Sequence, residues 1–291
     1  MLPIGLDLGT GFVKCAWNRN QIKFPSLYAV RSLDEWDEPQ FGGNNVIEAV
    51  GWKAMSMMRS QGATEIRPIV LGEPREEYEY HIRLLIQNAI YEIKKTISSD
   101  AVGLKDIEEI CMVLGLPYKS TASKPLIKKI LRKIPQIKKS TIVLQASGTY
   151  LACGRKSAVY VSIGQGTTEV MVCENHQRIF TDSFPIATEF ISSKIGEYAY
   201  LDVDLLKRNM ANLNATIDQF TMSISSKIGA IQQKIGISLP VIFSGGCIMI
   251  PGIREGFQKH LKRYSIEVPE NAEYLNAQGN LMYAKKIASQ K

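Results

Sequence analysis

Leu6-Asp7-Leu8-Gly9-Thr10-Gly11 near the start of the chain and Val161-Ser162-Ile163-Gly164-Gln165-Gly166 past its middle are two versions of one design, at an offset of 155 residues. In the first, Ile4, Leu6 and Leu8 alternate with Gly5 and Asp7, the period of a half-buried strand. Gly9-Thr10-Gly11 breaks the run, Phe12 to Trp17 resumes it, Asn18-Arg19-Asn20 turns, and Gln21 to Phe24 follows. In the second, Val159 to Ile163, Thr167 to Cys173 and Gln177 to Phe180 read as strands, separated by Gly164-Gln165-Gly166 and Glu174-Asn175-His176. Each version predicts three antiparallel strands. A single repeat at so long a period means a duplicated domain rather than a solenoid.

Outward from the repeats, Ile82, Leu85, Ile86, Ala89, Ile90, Ile93 and Ile97 have helical spacing. Ile110 to Leu116 reads as a strand ending at Pro117, and Pro125 to Ile134 as a basic amphipathic helix. Thr141 to Leu144 reads as a strand and Ser147 to Gly154 as a short helix. Later helices are expected near 187–198, 203–210, 217–235, 251–261 and 277–288, with one strand at Val241 to Phe243.

The 291 residues, 45% hydrophobic and 22% charged, are ordinary for a globular protein and exclude a wholly disordered chain. No run approaches the roughly 18 apolar residues of a membrane span. The N-terminus lacks a basic segment and carries Asp7 early, so no signal peptide is expected and the chain reads as cytoplasmic. Five cysteines form no C-x-x-C pair and read as buried free thiols. Three dispersed histidines offer no metal spacing. The net charge of +7 is uneven: eight Lys and Arg and no acid lie between Lys119 and Lys139, while acids gather at Asp34 to Glu38 and Glu73 to Glu79.

Glycine turns between strands expose backbone N–H groups and let an anion approach closely. Asp7 would face a hydrated metal and Lys14 a phosphate, with the second turn closing from the other side. A third motif, Phe243-Ser244-Gly245-Gly246-Cys247-Ile248-Met249-Ile250-Pro251-Gly252, runs a strand into paired glycines on which a flat base or ribose could lie. The P-loop pattern and the dinucleotide G-x-G-x-x-G are both absent.

Together, DLGTGFVK, SIGQGTTEV and FSGGCIMIPG resemble the phosphate-one, phosphate-two and adenosine motifs of the actin, Hsp70 and sugar-kinase superfamily. Phe24-Pro25-Ser26, Gly115-Leu116-Pro117 and Leu275-Asn276-Ala277-Gln278-Gly279 resemble its plasmid-segregation branch, the ParM, StbA and AlfA type with archaeal relatives. The resemblance implies an α/β fold of duplicated actin-like (ribonuclease H-like) domains flanking a nucleotide cleft. It assigns domain I to 1–155, with a small insertion at about 25–79, and domain II to 156–291, with a reduced small subdomain at about 191–235. It implies ATP or ADP as ligand, GTP remaining open, with Mg2+. Asp7 would orient the metal's water shell and Gln145 would position attacking water. Gly9, Thr10, Gly11, Lys14, Ser162, Gly164, Gln165, Gly166 and Thr167 would surround the phosphates, and Gly245 and Gly246 the ribose or base. The chain departs from the pattern at Ser162, where an aspartate is usual. Glu169 keeps an acid at the motif's end.

The resemblance implies an actin-like ATPase that self-associates into filaments and segregates plasmid or other DNA, with a DNA-binding adaptor as the expected partner rather than direct DNA contact. The alternative is a non-hydrolysing nucleotide-binding scaffold or adaptor, which Ser162 favours. A small-molecule kinase would need a second substrate pocket with a catalytic carboxylate. Lys128, Lys129, Arg132 and Lys133 share one face of the basic helix, a solvated surface or a contact for the acidic stretches of another copy.

Overall fold

The structure, a computed structural model, describes residues 1–33, 46–100, 107–195, 205 and 208–290. The acidic stretch Asp34 to Glu38 and half of the helix expected over 203–210 lie outside the described residues.

Two five-stranded sheets carry the chain. In the first, β1 (Leu2–Leu8), β2 (Phe12–Trp17) and β3 (Asn20–Pro25) form the antiparallel meander. Between β3 and the next strand of this sheet lies the insertion: β4 (Tyr28–Ser32), β5 (Val46–Val50) and β6 (Thr64–Ile66) as a small sheet with α1 (Trp52–Gln61), then the hairpin β7 (Ile69–Val70) and β8 (Glu73–Pro74). Helix α2 (Glu79–Asp100) leads to β9 (Ile110–Leu116), parallel to β1, and α3 (Lys124–Arg132) to β10 (Ile137–Leu144), parallel to β9. Helix α4 (Gln145–Cys153) then passes to the second half.

There β11 (Ala158–Ile163), β12 (Thr168–Glu174) and β13 (Gln177–Phe184) repeat the meander. Helices α5 (Glu189–Ser192) and α6 (Met210–Ile235) precede β14 (Val241–Ser244), which is parallel to β11. Helix α7 (Ile253–His260), β15 (Ile266–Glu267) and α8 (Leu275–Ser289) complete the chain. The strand orders, β10-β9-β1-β2-β3 and β13-β12-β11-β14-β15, are the same path read in opposite directions. The repeat in sequence is therefore a repeat in topology.

Registers carry the repeat to individual residues. Asp7 pairs with Lys14 across β1 and β2, and Ser162 with Glu169 across β11 and β12. Alternation along each first strand divides two faces. Ile4, Leu6 and Leu8 enter the first core with Ile82, Leu85 and Ile86 of α2, while Val159, Val161 and Ile163 enter the second with Phe220 and Ile224 of α6.

The opposite faces are covered by exchange. Ala146 of α4 packs against Tyr160, Met171 and Ile242 of the second sheet. Ala277 and Leu281 of α8 pack against Ala16 of the first. Thus α4 lies on the sheet that follows it, and α8 returns to the sheet that began the chain. The two helices cross at Gly148 and Gly279, where a side-chain carbon on Gly279 would overlap the Gly148 carbonyl, and α8 approaches Gly5 of β1 as closely.

Several boundaries differ from the sequence reading. Helix α4 starts at Gln145 rather than Ser147, directly after β10, so Gln145 opens the helix. Strand β10 reaches back to Ile137 on a sheet edge, where charge is tolerated: a register shift between Ile137 and Lys139 leaves Lys138 exposed, and Lys139 is half-buried. Among the described residues of the helix expected near 187–198 there is the short α5, at whose start the Thr188 and Glu189 N–H groups bond back to the second glycine loop. Helix α6 begins earlier than expected, at Met210, and no strand occurs among the described residues of 191–235. The cysteines are free and all but Cys153 are buried. Among the described residues, no helix is long and apolar enough to cross a membrane.

Gly279→Ala should destabilise the protein by about 3 kcal/mol or more, because backbone rather than a mobile side chain blocks the added methyl. Gly229→Ala, on α6 with open space around it, should be neutral or slightly stabilising. Denaturant unfolding of both variants checks this; equal midpoints would contradict it.

Candidate nucleotide site

The two glycine loops face each other across a cleft. Its walls contain Asp7, Gly9, Thr10, Gly11, Lys14, Gln145, Gly164, Gln165, Gly166, Thr167 and Gly246, all singled out from the sequence. Phe12, Gly72, Pro117, Thr188, Cys247 and Glu273 join them. Ser162 and Gly245 lie behind the wall. The Ser162 hydroxyl accepts from Asn276 Nδ2 at 2.9 Å, and Gly245, at φ 95°, sits against the Ile163 carbonyl where no side chain fits.

Each loop is built by the same device. Gly9 N–H donates to the Phe12 carbonyl, and Gly164 N–H to that of Thr167. The Gly9 carbonyl is held by Ser26 Oγ at 2.6 Å and the Gly164 carbonyl by Thr188 Oγ1 at 2.8 Å. Hydroxyls thus fix one carbonyl of each turn. The amides of Thr10, Gly11, Gln165 and Gly166 have no partner among the described residues. Gln165 Nε2 is buried and also lacks an acceptor. A buried donor without a partner costs about 1–3 kcal/mol, so this wall suits an anion.

Asp7 ends β1 on the face where the helices cross. Its Oδ1 accepts from Gln145 Nε2 at 2.7 Å, and its Oδ2 lies 3.7 Å from Lys14 Nζ. The acid holds the Gln145 amide with its nitrogen inward, leaving Gln145 Oε1 free to accept from water. Among the described residues, Asp7 is the sole acid lining the phosphate side of the cleft, Glu273 lying beside Gly246. Among the described residues no group of three or more acids, histidines or cysteines could cage a metal. The donor set fits a hydrated magnesium held through water and phosphate oxygens, as that ion commonly is.

The second half answers differently at the equivalent positions. Glu169 occupies the place of Lys14 but turns away from the cleft, and is buried. Its carboxylate accepts from Ala146 N–H at 2.8 Å and from Tyr118 N–H, both in the first half. Burial pushes its pKa up to about 8, against the opposing effect of the two N–H donors. The Cys247 thiol is likewise pushed up to about 12 by burial, which leaves it unreactive.

The cleft is closed. Its cavity is about 70 Å³, enough for a few waters at about 30 Å³ each and too small for a nucleotide. The hairpin tip Leu71-Gly72 wedges between the loops. Gly72 N–H donates to Thr10 Oγ1 at 2.7 Å, and a side-chain carbon on Gly166 would meet that hydroxyl at 2.7 Å and Leu71 Cα at 2.8 Å. A polyphosphate can enter only if the loops separate.

Glu169 gives this tie between the halves a pH dependence. The unfolded chain loses the proton near the usual glutamate value of about 4.3, whereas the folded chain keeps it until about 8. Between these values the folded state binds more protons, so stability falls as pH rises and levels off above about 8. Melting temperature measured from pH 5 to 9 should decline accordingly, and Glu169→Gln should flatten the decline between pH 6 and 8. An unchanged slope in the variant would contradict the assignment.

No protein-family model matches the chain, and no curated protein does. Solved structures do. The structure entitled MamK double helical filament shares 16% identity at a TM-score of 0.74, over 98% of each chain. ADP-bound MreB5 of Spiroplasma citri shares 14% at 0.70, over 98% of this chain and 96% of its own. The apo psk41 ParM protein shares 15% at 0.67, over 99% and 98%. The chain has the two-domain actin-like fold that these structures share.

Proposed function

We propose that this protein binds a nucleoside triphosphate with magnesium between its two glycine loops and couples that binding to self-assembly into filaments. The observation that carries the reading is the convergence of two loops, 155 residues apart in sequence, on one cleft with an unpartnered buried donor at Gln165. The full-length likeness to a filament structure and to an ADP-bound one supports it. ATP is the expected nucleotide and GTP the competitor. The domains run 1–155 and 156–291 by sequence, with α4 and α8 exchanged between them.

The roles follow from position. Lys14, Gln165 Nε2 and the free amides of both loops would hold the phosphates. Asp7 would orient the magnesium's water shell, and that ion, when bound, neutralises charge on the phosphate oxygens. Gln145, its amide fixed by Asp7, would orient the attacking water. A glutamine cannot act as an effective base, so positioning is its whole contribution. Segregation of plasmid or other DNA, with a DNA-binding adaptor, is the cargo that the sequence resemblance favours.

One observation favours the second reading, a non-hydrolysing scaffold. Ser162 bonds to Asn276 and Glu169 to backbone of the other half, so the second loop brings no acid to the phosphates. Such a protein would bind nucleotide and assemble without releasing phosphate.

Saturating ATP with magnesium, at a hundredfold excess over Kd, should stabilise the fold by about 2.7 kcal/mol. Sedimentation should show assembly that requires nucleotide. Melting unchanged by ATP, ADP and GTP alike would sink the reading. If phosphate is released, Gln145→Ala should slow it on the order of a hundredfold while changing affinity little.

One acid of the nearby stretch pairs with the basic helix within the chain: Glu79 accepts from Lys129 at 2.6 Å and from Lys133, and these bonds lower its pKa to about 2. Lys128 and Arg132 form no ion pair among the described residues and remain for a partner copy. Lys128→Glu with Arg132→Glu should raise the critical concentration for assembly, as should added salt. Unchanged assembly would leave the helix a solvated face.

A further inference from the structure

We infer that Glu273, rather than any residue of the three glycine motifs, is the specificity-determining residue that reads the sugar of the bound nucleotide, and that Lys23 holds it ready. The inference rests on the nucleotide reading of the cleft and names what recognises the nucleoside there.

The cleft has two chemically different ends. Lys14, the loop amides and Gln165 supply donors, the equipment for phosphate. At the other end stand Phe12, Gly246, Cys247 and Glu273. Glu273 belongs to the short turn Ala272–Tyr274. That turn is tied to the third motif because Gly245 N–H donates to the Ala272 carbonyl at 2.8 Å. A side-chain carbon on Gly246 would lie 3.6 Å from Glu273 Oε1, so the carboxylate stands directly beside the flat glycine seat.

This carboxylate is an acceptor among donors. Lys23 Nζ donates to Oε1 at 2.8 Å and to Oε2 at 3.0 Å. The same ammonium lies 5.4 Å from the centre of the Phe12 ring. Trp52 Nε1 in turn donates to the Lys23 carbonyl at 3.3 Å, and its ring stands 6.2 Å from Phe12. Lys23 is thus fixed by an aromatic corner, and Glu273 by Lys23. A carboxylate repels phosphate, so its use in this cleft is at the nucleoside. The adjacent hydroxyls of a ribose offer two donors to its two oxygens, the chemistry by which acidic residues hold ribose elsewhere. With both oxygens already engaged by one ammonium, a ribose hydroxyl shares the carboxylate without having to desolvate it.

The test compares binding of ATP, 2′,3′-dideoxyATP and inorganic tripolyphosphate, each with magnesium, to wild type, Glu273→Ala and Lys23→Met. Wild type should prefer ATP to the dideoxy compound about tenfold, the equivalent of one hydrogen bond to a charged group. Glu273→Ala should reduce that preference to near unity and leave tripolyphosphate affinity within about twofold. Lys23→Met, which keeps the carboxylate but frees it from its ammonium, should weaken the preference without abolishing it. An unchanged preference in Glu273→Ala overturns the inference, as does equal loss of all three ligands. A Lys23→Met protein that behaves like Glu273→Ala overturns it too, because the pair would then be only a structural clip. Wild type that binds neither ATP nor tripolyphosphate overturns the nucleotide site itself, a distinct result.

Discussion

The crossing of α4 and α8 at Gly148 and Gly279 is the constraint on which the rest of the structure depends. Two helix backbones in contact leave no room for side chains between them. That closeness lets one helix pair cover the inner faces of two sheets at once. Each half contributes a helix to its partner's sheet, so neither half is closed without the other. Asn276 and Asn280 of α8 make the exchange polar as well as apolar. The first donates to Ser162 of the second sheet and accepts from Thr149 of α4. The second donates to the Leu6 carbonyl of the first sheet.

The site is a consequence of this crossing. Strand alternation sends Asp7 and Ser162 to the same side of their sheets as the crossing helices. Asp7 meets the first residue of α4, Gln145; Ser162 meets the second residue of α8, Asn276. The two halves then diverge in charge. An acid and a lysine pair inside the first half, while the second replaces that pair by serine and a glutamate that reaches across to the first. Placing an aspartate at Ser162 would set a second buried acid opposite Glu169. The serine and the reaching glutamate are therefore two parts of one arrangement, and the loss of an acid from the second loop has a structural reason.

Much of this was legible in the sequence, for a physical reason in each case. The strands of both meanders alternate in apolar residues, β9 is a continuous apolar run up to Pro117 and α2 has helical apolar spacing, local signals that packing does not override. The repeated Gly-x-Gly turns located both cleft walls. What sequence could not supply was contact between distant segments. Glu273 stands 250 positions from Lys23, and Gly72 reaches the cleft from an inserted hairpin with no motif of its own. Gln145 was found, but its setting as the opening residue of a helix depends on where α4 docks. The pairing of Glu79 with Lys129 and Lys133 is not legible either, because nothing local announces that α2 begins beside α3.

The central claim is that both glycine loops, so alike and so far apart in the chain, clamp a single polyphosphate. Amide hydrogen exchange with and without ATP and magnesium tests it most directly. The account predicts that Thr10 and Gly11 become protected together with Gln165 and Gly166, in one concentration-dependent transition. Protection confined to one loop, or appearing at neither while nucleotide is bound elsewhere, would contradict it.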